Sequence, residues 1–206
     1  KDGERMEEPL DINEEDIVID VIGIKQAHSI CGSGLIDAIA VMVELGIIDK
    51  TGRFTYIEEL RKKLPTRIFE RIQLNNGGEA LYLTKNVYIN QRDVRQMQLA
   101  KAAILAGIKL LLKKMDIQLC DIENILLAGA FGNYIRKESA IKIGLLPEVA
   151  PEKIQFIGKA AASGAQMILM STENRLKAKQ LSQKIQYIEL ANIPEFQDVF
   201  TDCLTF

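Results

Sequence analysis

Twice in its second half the chain runs from a short β-branched strand through a glycine into a helix, and that alternation leaves few folds open. "ENILLAGAFGNYI" (residues 123–135) reads as a strand entering a glycine turn, followed by a helical "KESAIKIGLL". "KIQFIG" repeats the pattern and leads into a small-residue helix, "KAAASGAQMILMS". Strands separated by helices cannot close as tight hairpins, so the pattern predicts an α/β layer fold with a mixed, largely parallel sheet flanked by helices. A charged helix over 173–184, a last strand in "IQYIELA" and a short terminal helix in "PEFQDVF", with Pro194 at its start, complete this half.

The first half is organised differently. Residues 1–16 read as a solvated leader from an upstream region, and "IVIDVIG" (17–23) as a strand closed by glycine. "SICGSGLIDAIAVMVELGII" then places a cysteine and two glycines before a helix over 35–45. Only Asp37 and Glu44 interrupt its apolar surface, seven residues apart on one narrow stripe, so the remainder is expected to be buried. Gly46 suits a left-handed cap, with Ile47 folding back as its hydrophobic closure. Over about 50–90 an insertion is expected: a turn at "TGRF", a short exposed helix ended by Pro65, and two strands, "RIFERIQL" and "EALYLTKNVYI", flanking the hairpin signal "NNGG". The segment "QRDVRQMQLAKAAILAGIKLLLKKM" is the strongest helix, with Asp93 as N-cap and Lys113 and Lys114 suiting its negative end.

Charge and cysteine content exclude several classes. A balance of 26 Lys+Arg against 28 Asp+Glu supplies no electrostatic reason to bind nucleic acid or an anionic membrane. No apolar run reaches the ~18 residues of a membrane span. Cys31, Cys120 and Cys203 lie far apart and form neither a disulfide framework nor a zinc spacing, so a reducing cytoplasmic setting fits and no metal site is assigned. His28 is the only histidine, too little for a His-rich metal site or a Ser–His triad.

Three places could carry chemistry. The turn "AGAFGN" offers Gly129 and Gly132 at the carboxyl end of a strand, where ligands bind in open α/β sheets and glycine lets the backbone approach them. A tight strand-to-helix turn that merely needs positive φ explains the same glycines equally well. Lys101 falls in the middle of the long helix's apolar stripe (Val94, Met97, Ile104, Leu105, Ile108, Leu111, Leu112, Met115), with Gln98 beside it. An ammonium there must snorkel out, pair with a carboxylate or reach an anionic ligand. Cys31 stands before a helix N-terminus, a place a reactive or metal-ligating thiol would favour, although a buried cysteine at a crowded helix start is the simpler reading.

Taken together, "SICGSGLIDAIAVMVELGIIDKTGRF", "DVRQMQLAKAAILAGI", "ILLAGAFGNYI", "SAIKIGLLP" and "FQDVF" resemble the C-terminal actin-like (ASKHA) ATPase domain of the reductive activators of corrinoid proteins. The resemblance runs in order from about residue 17 to the C-terminus. It implies a ribonuclease-H-like fold that binds ATP and magnesium between two lobes. In full-length relatives an N-terminal ferredoxin domain carries a two-iron cluster, and ATP drives uphill electron transfer that returns Co(II) corrinoid proteins to Co(I). The implied partner is a corrinoid protein or a corrinoid methyltransferase system.

Carried over, the nucleotide-side turn is Gly129, Ala130, Phe131, Gly132 and Asn133; Lys101, singled out by its place on the apolar stripe rather than by the resemblance, is expected to add an anion or polar contact. Gly32, Ser33 and Gly34 would let the first helix start close to the cleft. "CGSGLIDAIA" is similar in place to the Cys–Ala–Ala–Gly–Thr–Gly segment of dehydratase activators, whose cysteine binds a bridging cluster; Cys31 is left unassigned. Two departures stand out. The superfamily's Asp–x–Gly–Thr phosphate loop and its second acidic loop would both lie upstream of Lys1, so a C-terminal fragment, inactive alone, is expected. Lys159 in "FIGKAAASGA" stands where relatives carry an asparagine. The rival reading is a nucleotide-free docking or dimerisation module of an iron–sulfur redox protein, and a homodimer stays open on either.

Overall fold

The structure is a computed structural model and describes residues 11–12, 15–21, 27–75, 78–129 and 134–206. Its elements run β1 (Asp11–Ile12), β2 (Ile17–Val18), α1 (Gly32–Glu44), α2 (Ile57–Lys63), α3 (Thr66–Glu70), β3 (Ile72–Asn75), β4 (Gly78–Tyr82) and β5 (Tyr88–Asn90). There follow α4 (Gln91–Lys114), β6 (Ile125–Leu127), α5 (Lys137–Lys142), β7 (Ile154–Phe156), α6 (Ala160–Met170), α7 (Thr172–Ser182) and α8 (Phe196–Asp202). The fold is mixed α/β, with its strands in three small sheets among the described residues. Among the described residues, only β6 and β7 pair in parallel; β1–β2 and β3–β4–β5 are antiparallel.

Helix α1 is the centre of the core. Ile36, Ala38, Ile39 and Met42 are each at most 1% exposed, and the helix packs on α5. Both helices end in the same way. The N–H of Ile47 donates to the Met42 carbonyl at 2.8 Å after Gly46 turns left-handed at φ 69°, and the Leu145 N–H donates to Ala140 at 2.8 Å after Gly144 at φ 71°. Each is a Schellman closure that tucks an apolar residue back under its helix. Glu44 and Lys142 then pair across the two ends. Asp37 is only 3% exposed, so the expected polar stripe on α1 consists of Glu44 alone, because α1 is enclosed further round its circumference than the sequence suggested.

The expected leader is not wholly detached. Asp11–Ile12 pairs with Ile17–Val18, and Asp16 receives a two-pronged hydrogen bond from Arg71, at 2.6 and 2.8 Å. The Arg71 guanidinium holds the Asp16 carboxyl below the usual carboxylate range. This contribution is present above the unfolded carboxylate value and is lost as pH falls through the lowered one. In the insertion, "RIFE" belongs to α3 rather than to a strand, since Pro65 ends α2 and then suits the entry of a new helix. The β3–β4 hairpin is present, although Asn76 and Gly77 of its turn lie outside the described residues.

Asn90, not Asp93, caps α4. Its side chain accepts from the N–H groups of Arg92 and Asp93, while Asp93 reaches back to the Asn90 N–H at 3.0 Å. The two side chains form a reciprocal capping box. The buried face of α4 also differs from the apolar stripe: Val94, Gln98, Lys101, Ala102, Ala106 and Leu110 are buried, whereas Ile104 and Leu111 are 49% and 40% exposed. The reason is the C-terminal segment. The Gln98 amide donates to the Leu204 carbonyl at 2.8 Å and to the Thr51 carbonyl at 3.1 Å. Lys101 is 1% exposed, and its ammonium donates to the Thr205 carbonyl beneath the Phe206 ring. The Phe206 N–H closes the arrangement on the Lys50 carbonyl at 2.9 Å. Gly52, at φ 74°, leaves room for Gln98; a Cβ there would fall 2.7 Å from its amide.

The second half is barer. Residues 185–189 form no strand; Ile185 and Tyr187 are 76% and 86% exposed, with no neighbouring strand to pair with among the described residues. No described helix is long and apolar enough to cross a membrane.

Two substitutions check this account. Ile39→Ala removes a fully buried side chain of α1 from the core and is expected to lower the unfolding free energy by ~2–5 kcal/mol in urea titrations. Lys101 gives a pH signature. Burial lowers its pKa to about 8, with Cys203 opposing the shift and Lys109 adding to it. Between that value and the unfolded lysine's, about 10.4, the unfolded chain binds the extra proton, so stability rises with pH. Against Lys101→Met, the wild type is expected to gain on the order of 2 kcal/mol from pH 7.5 to 10; parallel pH profiles would contradict a buried ammonium.

Candidate functional site

The parallel pair β6–β7 sets Ile125 opposite Ile154, Leu126 opposite Gln155 and Leu127 opposite Phe156, so both strands end at the same level. Immediately beyond that edge each chain turns at a glycine of positive φ, Gly129 at 99° and Gly158 at 64°. The Ile157 N–H donates to the Leu127 carbonyl at 3.0 Å and the Gly129 N–H to the Gly158 carbonyl at 2.8 Å. The ladder thus continues past the strands and ties the two turns together. Positive φ is what requires glycine here, because a Cβ built on either residue meets nothing within 4 Å. The open space in front of both glycines fits a ligand lying against the backbone at the carboxyl ends of parallel strands. It equally fits a tight turn, the alternative already raised by the sequence.

Gly158 leads directly into α6, whose first N–H groups lack intrahelical partners and favour an anion. Lys159 occupies the N-cap position and makes no side-chain cap, since an ammonium has no acceptor to offer. An asparagine there could accept from the helix, so the departure seen in the sequence falls on a position with a defined local task. Gly158 and Lys159 are the part of this site that sequence reasoning did not assign. The signal was present as the glycine closing "KIQFIG", the counterpart of Gly129 on the neighbouring strand. Ala130, Phe131, Gly132 and Asn133, the rest of the first turn, lie outside the described residues.

The other sequence candidates fall elsewhere. Lys101 lies at the contact of α4 with the C-terminal segment, its ammonium engaged by Thr205 and Phe206 and close to Gly144, where a Cβ would come within 3.3 Å of it. Gly32, Ser33 and Gly34 form the first turn of α1 rather than a loop before it. Cys31 caps that turn, its Sγ accepting from the Gly34 N–H at 3.3 Å and lying 3.4 Å from Ser33 Oγ. Cys31 is exposed, not buried, because the cap sits at the open end of the helix. Cys120 is exposed and Cys203 buried, both free, and no group of three potential metal ligands occurs among the described residues.

A polar groove of about 420 Å³ borders the insertion and is lined by Asp16, Arg67, Glu70, Arg71, Tyr82 and Lys85 among others. Its central cation, Arg71, is already engaged by Asp16 and by the Leu83 carbonyl at 2.8 Å. The groove therefore holds mixed charges with Arg71 already engaged, and it includes none of the sequence candidates.

Comparison with known proteins agrees with the fold. A family model described as the C-terminal domain of RACo, the ASKHA domain, matches residues 8–206. The chain is 37% identical over 191 residues to the corrinoid activation enzyme RamQ of Eubacterium limosum, a match covering 89% of this chain and 32% of that protein. It is 28% identical over 144 residues to the Co(II) methylated amine-specific corrinoid protein reductase of Methanosarcina barkeri, covering 70% of this chain and 23% of that one. A solved structure of a reductive activator for corrinoid, iron–sulfur protein aligns with a TM-score of 0.74 at 32% identity, over 86% of this chain and 28% of that chain. The chain therefore spans between 23% and 32% of the length of these relatives. With nearly its whole length matched and its fold shared at that identity, the chain belongs to the family of RACo C-terminal ASKHA domains.

Proposed function

We propose that this chain is the C-terminal part of an ATP-dependent reductive activator that returns Co(II) corrinoid proteins to Co(I). The observation that carries the reading is the pair of tied glycine turns, Gly129 and Gly158, at the carboxyl edge of β6–β7. Two backbones without side chains at that edge offer a flat face for an adenosine group, and the α6 N-terminus beside them favours an anion. ATP supplies the free energy of hydrolysis to an electron transfer that is otherwise uphill.

This chain's own residues bind and orient. The turn from Gly129 to Asn133 receives one side of the nucleotide, and α1 supplies the rigid support through its buried contact with α5, the helix that follows the turn. The phosphate loops, the magnesium ligands and the two-iron cluster belong to upstream polypeptide, so the isolated chain holds half a site and transfers no electrons. Lys101 joins this site only indirectly, by anchoring the C-terminal segment that packs on α4. The corrinoid partner meets the assembled protein rather than this part alone. Three separate cysteines, all free, agree with a reducing cytoplasm.

Calorimetric titration of Mg-ATP and of ADP separates the outcomes. Binding by the full-length protein and weak or absent binding by the 206-residue chain is expected. Gly129→Val in the full-length protein is expected to weaken nucleotide binding by ~10-fold or more, since a β-branched residue resists positive φ and fills the open space. Absence of nucleotide binding by both forms would sink the ATPase reading and leave a docking module.

A further inference from the structure

Lys101 buries an ammonium where an apolar side chain of similar volume would fill the same space. It is 1% exposed, its Nζ donates to the Thr205 carbonyl, and the Phe206 ring centroid lies 5.1 Å from it. Among the described residues no ion pair joins it to a carboxylate. Taking an ammonium out of water without a counter-charge costs free energy that a methionine does not. Stability alone therefore does not account for a lysine at this position.

What the ammonium stands against points to another task. Besides the C-terminal segment it reaches the closure of α5: a Cβ on Gly144 would fall 3.3 Å from Nζ and 3.8 Å from the Leu105 side chain. Gly144 is the left-handed residue, at φ 71°, that ends this helix. With six residues at 1.5 Å each, α5 is only about 9 Å long, so a stop at its last turn also fixes its first. α1 holds the helix from another side, with Ala140 and Ile143 fully buried.

The front of α5 meets both glycine turns. Ile135, 8% exposed, enters the core between the turn of 129–133 and the helix. Lys137, the first residue of α5, sets its Nζ 5.6 Å from the centroid of Phe156, which ends β7 and leads through Ile157 into Gly158. α5 thus joins one turn by chain continuity and the other through Phe156, while its far end rests on Lys101.

We propose that Lys101 is a positioning residue for the nucleotide face: by holding the C-terminal segment against the closure of α5, it fixes that short helix and with it the Gly129 and Gly158 turns. The proposal rests on reading those turns as the adenosine side of a nucleotide site. Lys101 touches no nucleotide in this role and acts through α5. A methionine fills the space without drawing in the Thr205 carbonyl or the Phe206 ring, so α5 keeps its packing on α1 and loses its stop at Gly144.

ATP hydrolysis by the full-length protein, measured beside urea unfolding, tests this in Lys101→Met and Phe206→Ala. For Lys101→Met the unfolding midpoint at neutral pH is expected to stay at or above that of the wild type, while KM for ATP rises ~10-fold and kcat holds. A merely structural defect lowers the folded fraction, and with it kcat, and leaves KM in place. Phe206→Ala removes the ring over the ammonium and is expected to raise KM as well. Combined with Lys101→Met, it is expected to add less than it does alone, because both act on one contact. An unchanged KM in both variants, or a fall in kcat alone, overturns the positioning role and leaves the nucleotide reading intact. A wild-type full-length protein that neither binds nor hydrolyses ATP overturns both.

Discussion

A buried ammonium fastens the end of the chain to its longest helix, and three segments distant in sequence meet at that contact. Lys101 holds the Thr205 carbonyl, Gln98 holds Leu204 and Thr51, and the Phe206 N–H holds Lys50. The turn over 49–53 is thereby gripped between α4 and the C-terminal segment. That turn leads out of α1 and into the insertion, so the first helix, the longest helix and the last residues share one junction. A buried polar network of this kind is stabilising only when its members are satisfied, which explains why Gly52 must leave space for the Gln98 side chain.

Burial is distributed unevenly around this junction. α1, the insertion and the start of α4 carry most of the buried apolar side chains, whereas α6 and α7 carry none. The glycine turns lie where these two regimes meet: β6 and β7 reach them from sheet positions anchored by buried Ile154, and α6 leaves them into open surroundings.

Much of the architecture was legible from local rules. The strand–glycine–helix alternation anticipated the parallel β6–β7 pair, and the sequence around Gly46 anticipated the closure of α1 by Ile47. Errors arose where a local rule had a competitor. Asp93 is a good N-cap, but Asn90 is as good and stands three residues earlier, so the acid became its reciprocal partner. "RIFE" has strand-forming residues, yet Pro65 and a short span made it helical. "IQYIELA" has the composition of a strand and no neighbour to pair with among the described residues, and composition cannot supply one. The candidate site was half legible: Gly129 stood out, while Gly158 gained meaning only when the register of β7 set it beside Gly129.

From residues alone come the helix ends, the capping glycines, the positive-φ turns and the family, because each depends on chemistry within a few positions or on an ordered set of motifs. Tertiary structure alone decided the fate of Lys101 and Gln98. Periodicity placed a lysine on an apolar face, but whether it met water, a ligand or a carbonyl depended on a segment more than a hundred residues away. The same holds for Asp37, Cys31 and α6, whose burial or exposure is a property of what lies across from them and not of their own sequence. A neighbour distant along the chain is the one quantity that local spacing does not encode.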